Sequence, residues 1–252
     1  IEILMEKDFF KFYMLKSELI ICNFSSVNLF ESILFKEKLR NSIDIVEKED
    51  FSINNLNQLF NNSNKITIDL FNINITNLTI EIDKRNYLLM LLFKYLIIHQ
   101  NKNGWLIIKI NNFDKDIFLR EYIYLLSSLF LDSSIVRPSI MNCFVNDMFF
   151  VGKNFFINNN HKLHYLNETI NLLNVNKNHS IDPANSLLID PLPIIYLDKI
   201  KELRMIIGQA NMEHMEQLLS NLKNKNKEEK LSSLEYINKS KCEYWIEKYL
   251  SV

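Results

Sequence analysis

The chain has 252 residues, 48% of them hydrophobic, enough for one sizeable core and close to the length at which a single core stops growing. A formal net charge of −1 and a pI near 6.6 exclude a domain-wide basic field that would hold nucleic acid by counterion release, so any RNA contact is expected to be local or indirect. Three widely spaced cysteines, Cys22, Cys143 and Cys242, form no Cys-x-x-Cys pair and have no His at metal spacing, which argues against a disulfide framework and a zinc site and fits a reducing compartment.

In chain order, the opening Ile1 to Asp8 shows no basic region followed by an apolar run, and no apolar stretch reaches the roughly 18 residues that span a bilayer, so a soluble, cytoplasmic protein without membrane contact is expected. Leu19 to Cys22 reads as a strand, Asn23 to Asn28 as the loop after it, and Leu29, Phe30, Ile33 and Leu34 as a helix. Ile43 to Val46 alternates like a strand, Ile53 to Phe60 fits a short helix, and Ile66 to Leu70 reads as a buried strand ending at an acid. Tyr87 to Ile98 is a dense apolar helix closed by a polar turn at Gly104, and Trp105 to Ile110 is the next strand. Asp114 opens a helix that Asp132, Ser133 and Ser134 stop, and Met148 to Val151 is a late buried strand before Gly152. Strands alternating with helices predict an α/β fold with a parallel sheet.

Beyond residue 160, Pro183, Pro191 and Pro193 interrupt the chain before a long helix with an apolar stripe through Leu197, Ile200, Leu203, Ile207, Ala210, Met215 and Leu218. The stripe reads first as core, and with Met205, Met212 and Met215 also as an adaptable interface. Residues 1–160 are expected to form the α/β domain, and 161–252 a mainly helical extension packed on the same core. Abundant Asn, Ile, Lys and Phe with scarce Gly reflect an AT-rich coding bias, so Asn-x-Ser/Thr triplets at Asn23, Asn74 and Asn77 carry no glycosylation signal. His161 and His164 fall in an Asn-rich loop, which argues against a metal site.

Asn103-Gly104-Trp105 through Lys109, Arg137-Pro138, and Asp147 through Gly152 resemble the RrmJ/FtsJ-type 2′-O-methyltransferase family over about residues 15–156. The resemblance implies a Rossmann-like methyltransferase-type sheet and a Lys-Asp-Lys-Glu tetrad. Lys109 takes the place of the second lysine, Asp69 that of the aspartate at the end of a middle strand, and Asp147 that of the glutamate, one methylene shorter. No first lysine is placed. The loop after the first strand, glycine-rich in the family where S-adenosylmethionine sits, is here Asn23, Phe24, Ser25, Ser26, Val27 and Asn28. Bulky side chains in that loop predict a degenerate scaffold that binds no cofactor. Lys109 also reads as a solvated strand-end lysine, and Asp69 as a strand-end or capping acid.

The Ile68-Asp69-Leu70 strand, followed by Ser186-Leu187-Leu188-Ile189-Asp190-Pro191 leading into a terminal helix, resembles the small regulatory subunit of the poxvirus-type mRNA capping enzyme. That resemblance implies a heterodimer in which this chain binds and stimulates a cap guanine-N7 methyltransferase subunit, with a virus or virus-like plasmid as a natural source. Two other readings stay open: an active 2′-O-methyltransferase using Asp69, Lys109 and Asp147, and a structural subunit of RNA polymerase machinery.

Overall fold

The computed structural model describes residues 18–24, 42–47, 52, 67–74, 82–111, 113, 115–138, 147–156, 186–188, 190–223 and 227–249. The helices expected at Leu29 to Leu34 and Ile53 to Phe60, together with Ser25 to Asn28, His161 and His164, lie outside them. Among the described residues, contacts divide the chain between 192 and 193 into an α/β unit and a helical unit.

Among the described residues the α/β unit holds six strands: β1 (Glu18–Phe24), β2 (Ser42–Glu47), β3 (Ile68–Asn74), β4 (Gln100–Asn111), β5 (Phe130–Val136) and β6 (Asp147–Phe155). Their spatial order is β2-β1-β3-β4-β6-β5. The first four are mutually parallel, and β6 runs antiparallel between β4 and β5. The Rossmann-like, methyltransferase-type α/β sheet expected from the sequence is therefore present. It carries helices α1 (Ile82–His99) and α2 (Ile117–Ser127).

Helix α1 is apolar around its circumference, and 12 of its 18 residues are buried, as a helix enclosed on several sides requires. Helix α2 packs on it: the Tyr122 hydroxyl donates to the Leu89 carbonyl at 2.8 Å, and the Phe93 and Tyr122 rings meet edge to face with centroids 6.1 Å apart. The start of α2 is Asp116 rather than Asp114, because the Asp116 carboxylate accepts from the Leu119 amide at 3.1 Å as an N-cap.

Asp132, Ser133 and Ser134 do not stop this helix; they form the middle of β5. The helix ends five residues earlier, where the Ser127 and Ser128 hydroxyls donate to the Tyr124 and Leu125 carbonyls at 2.6 and 2.7 Å and satisfy groups the last turn leaves open. As an edge strand, β5 tolerates polar residues, and Asp132 faces Lys153 across the ladder at 3.4 Å. Phe130, by contrast, is buried, and its ring occupies the space beside Gly152.

The helical unit contains α3 (Ile194–Lys223) and α4 (Lys227–Tyr249). Pro193 stands just outside α3, its carbonyl accepting from the Leu197 amide at 3.1 Å. Among the described residues the helical unit begins at Pro193, and the expected stripe is covered only in its first half. Ile200 is buried and Leu197, Leu203, Ile207 and Ala210 are half-buried, whereas Met205, Met212, Met215, Leu218 and Leu219 are exposed. Among the described residues, no helix is long and apolar enough to cross a membrane.

Two expectations arise from this packing. A Cβ at Gly152 would lie 2.6–2.9 Å from three atoms of the Phe130 ring, which Phe150 and Phe155 hold edge-on, while one at Gly208 meets nothing within 4 Å. Gly152→Ala should cost about 1–3 kcal/mol in urea unfolding, and Gly208→Ala in exposed helix should stabilise by about 0.5–1 kcal/mol. Equal effects of the two substitutions would contradict the packing.

Burial raises the Tyr122 hydroxyl well above its ordinary pKa of 10.0, and raises Tyr87 and Tyr95 less. The folded state then holds protons that the unfolded state releases, so stability is intact below about pH 10 and falls as pH climbs above it. Tyr122→Phe should flatten that alkaline limb while costing about 1 kcal/mol at neutral pH for the lost hydrogen bond. Chemical denaturation at pH 7 to 11 checks both.

Candidate functional site

In an open α/β sheet, ligands bind beyond the carboxyl ends of the strands, where the strand order reverses. Here the reversal lies between β1 and β3, because the chain leaves β1 toward β2 and returns to β1's other side for β3. That edge carries Asn23 and Phe24 at the end of β1, Asn72 and Asn74 at the end of β3, and Lys109 near the end of β4. In register, Asn74 stands beside Lys109, and Asn111 beside Asp147, where β6 begins. Asn72, Asn74 and Lys109 share one face of the sheet by strand alternation and are half-buried.

Asp69 is not at this edge. It is the second residue of β3 rather than its last, and Lys109 pairs five residues further on, about 16 Å away at the rise of a strand. Asp69 is only 2% exposed, its carboxylate accepting from the Ile20 amide at 3.1 Å and from Asn101 Nδ2 at 2.7 Å. It therefore ties β1, β3 and β4 together at the amino end of the sheet. The proposed grouping of Asp69 with Lys109 and Asp147 is dissolved by the register: Lys109 and Asp147 share an edge, and Asp69 occupies the opposite one.

At the place where a tetrad aspartate would end the middle strand stands Asn74. An amide donates and accepts hydrogen bonds but carries no charge and takes up no proton, so it can neither act as a base nor hold a neighbouring lysine electrostatically.

Asn23 and Phe24 are also displaced from their expected place, belonging to β1 and pairing with Asn72 and Ile73 rather than opening a loop. The strand runs two residues longer because β3 and β2 continue to offer ladder partners there. Of the two glycines in the α/β unit, neither has positive φ; both allow close packing within the protein. A Cβ at Gly104 would collide with Gln100 Nε2, and the left-handed positions are instead held by Asn103 and Asn154, with φ of 65° and 58°. Among the described residues, no three His, Cys, Asp or Glu side chains gather as a metal site.

Sequence reasoning missed three polar arrangements. Gln100 donates through Nε2 to the Ile68, Asp69 and Trp105 carbonyls at 3.2–3.3 Å and sits where a polar turn was expected. Arg85 at the start of α1 donates to Asp116 at the start of α2 and to the neighbouring Asn86, bridging both helix starts. Glu121, on α2, is buried and accepts from Ser186 and from the Leu187 and Leu188 amides. Only Glu121 left a sequence signal: it stands three residues after Phe118 and four before Leu125, a charge inside an apolar stripe.

Strand order and register define a Rossmann-like, methyltransferase-type α/β fold. No family model matches the chain, and no curated protein matches it. Among solved structures it is similar to an rRNA methylase from Streptococcus thermophilus, at 14% identity and a TM-score of 0.37, over 62% of this chain and 98% of that one. It is similar as well to a ribosomal RNA methyltransferase from Plasmodium falciparum, at 15% identity and a TM-score of 0.36, over 60% of this chain and 94% of that one. A third likeness, to alphavirus P23pro-zbd, has 12% identity and a TM-score of 0.35 and spans 63% of this chain but 24% of that one. The fold assignment rests on the strand order and register, not on these overlaps.

The position of Asp69 sets a test. Asp69→Ala leaves the half-buried Ile20 amide and Asn101 side chain without their acceptor and should cost about 1–3 kcal/mol, with Asp69→Asn costing less because one carbonyl oxygen remains. Thermal unfolding reads the difference. A catalytic Asp69 would instead show near-native stability in both variants.

Proposed function

We propose that this chain is a non-catalytic regulatory subunit that binds and stimulates an mRNA cap guanine-N7 methyltransferase subunit. The observation that carries this reading is Asn74 beside Lys109: the methyltransferase-type edge lacks the carboxylate that the resemblance requires there, and the nearest acid in β3 is buried at the other end of the strand. An amide at that position takes up no proton and carries no charge, so Lys109 lacks the charged neighbour that the resemblance gives it in β3. The choice of a cap methyltransferase as partner comes from the resemblance to the poxvirus-type small subunit.

Two features support partner binding. Helices α3 and α4 run 30 and 23 residues, yet among the described residues of α3 only Ile200 is fully buried, while Met205, Ile206, Met212, Met215, Leu218 and Leu219 are exposed, as are Leu234, Ile237 and Ile246 on α4. Helical stability in proteins comes mainly from packing of an apolar face, and a methionine-rich face adapts to a partner's shape. Stimulation then results if the partner's active conformation binds this chain more tightly than its inactive one. RNA would be met through the partner, consistent with a net charge of −1.

Calorimetry with S-adenosylmethionine and methyl-transfer assays on capped RNA test the reading. The chain alone should give no binding heat and no transfer, and adding it to the cap methyltransferase subunit should raise turnover or cofactor affinity. Methyl transfer by the isolated chain would establish the 2′-O-methyltransferase reading instead, and co-purification with RNA polymerase but no methyltransferase would establish the structural-subunit reading.

A further inference from the structure

Helix α3 carries two apolar stripes, and the chain itself covers only one of them in part. Leu203, Ile207 and Ala210 are half-buried beside the buried Ile200. About a third of a turn away, Met205, Gly208, Met212, Met215 and Leu219 recur at alternating steps of three and four, and all of them are exposed. That alternation is the spacing of a seam that receives another helix. Upstream, the next two positions of the seam are Lys201 and Asp198, which are joined by their own ion pair at 2.9 Å, so the apolar seam begins at Met205.

Gly208 gives the seam its occupant. Glycine inside a helix is destabilising relative to alanine, and the chain's other two glycines lie where a Cβ would collide with Gln100 or Phe130, whereas a Cβ at Gly208 meets nothing within 4 Å. Its missing side chain leaves a notch on an open seam, a hole for a knob from a neighbouring helix. We propose that the neighbour is α3 of a second copy of this chain, running antiparallel. With Met212 facing Met215 of the second copy, Gly208 falls opposite the second copy's Leu219, and the same layers repeat across the two-fold axis. The flanks agree in charge, because the exposed Glu202 of each copy then stands beside the exposed Lys223 of the other. A parallel pairing would set Gly208 against Gly208 and leave a gap. The methionines of the seam suit such a contact because they adapt to one another. Any other protein that binds this face competes with the second copy.

Sedimentation equilibrium of the full-length chain tests the pairing without any other protein, so its outcome is independent of the function proposed above. A seam from Met205 to Leu219 is about 21 Å long and buries little surface for a dimer, so the chain should pass from monomer to dimer between about 1 and about 500 μM. Met212→Glu, which puts a charge in the middle of the seam, should weaken the association by about tenfold or more. Gly208→Gln fills the notch with a better helix former, so it should weaken the dimer while helicity by circular dichroism holds or rises. Glu202→Lys and Lys223→Glu should each weaken it about three- to tenfold, and an equimolar mixture of these two variants should regain native association, because unlike charges then meet at both flanks of the antiparallel pair. A monomer throughout that range overturns the proposal, as does a dimer that Met212→Glu and Gly208→Gln leave at native strength. A mixture of the two charge variants that associates no better than either alone overturns the antiparallel pairing.

Discussion

The side-chain arrangement where β3 and β4 end depends on how these two strands are set against each other at the opposite end. From Ile68 to Leu70 β3 advances two residues, while β4 advances five, from Gln100 to Trp105, so three residues of β4 are absorbed before regular pairing resumes. Three is an odd number, and a slip of that size exchanges the faces of every later side chain. Without the irregularity Asn74 would stand opposite Leu106, and Lys109 would run past the end of β3. The polar residues around the excess hold it in place: Asp69 takes the Asn101 amide, Gln100 reaches three carbonyls, and Asn103 turns through a left-handed conformation. Gly104 permits this, since a Cβ there would occupy the Gln100 amide's position.

The same cluster revises what scarce glycine means in this chain. Gly104 and Gly152 are spent on close approach within the protein, one to a buried amide and one to a phenylalanine ring, and asparagine takes the backbone conformations for which glycine is usually chosen. A composition rich in Asn can do this because its short side chain tolerates the left-handed region better than branched residues do.

Elements whose patterns are local were legible in the sequence. β1, β2, β4 and the apolar α1 follow from runs of Ile, Leu and Phe, and α3 from residues recurring at three and four. β5 was not, since Phe-Leu-Asp-Ser-Ser-Ile-Val has the composition of a helix stop, and only the ladder with β6 and the pocket beside Gly152 draw it into the sheet. Asp69 was legible as a strand residue but not as belonging to the amino end, because Ile66 to Leu70 looked complete before Phe71 to Asn74 extended it. The true strand end reads Phe-Asn-Ile-Asn, and nothing in its spacing marks Asn74 as Lys109's neighbour. Register across strands is a tertiary fact.

A neutral amide beside Lys109 changes how this fold could use free energy. Catalysis requires groups that bind the transition state better than the ground state, and a proton acceptor is the group this edge lacks at Asn74. Among the described residues, most of the exposed large apolar side chains lie on α3 and α4, where contact with another protein would remove them from water. In the proposed subunit, binding free energy at those helices replaces transition-state stabilisation at the sheet edge, and it acts by favouring one conformation of the partner.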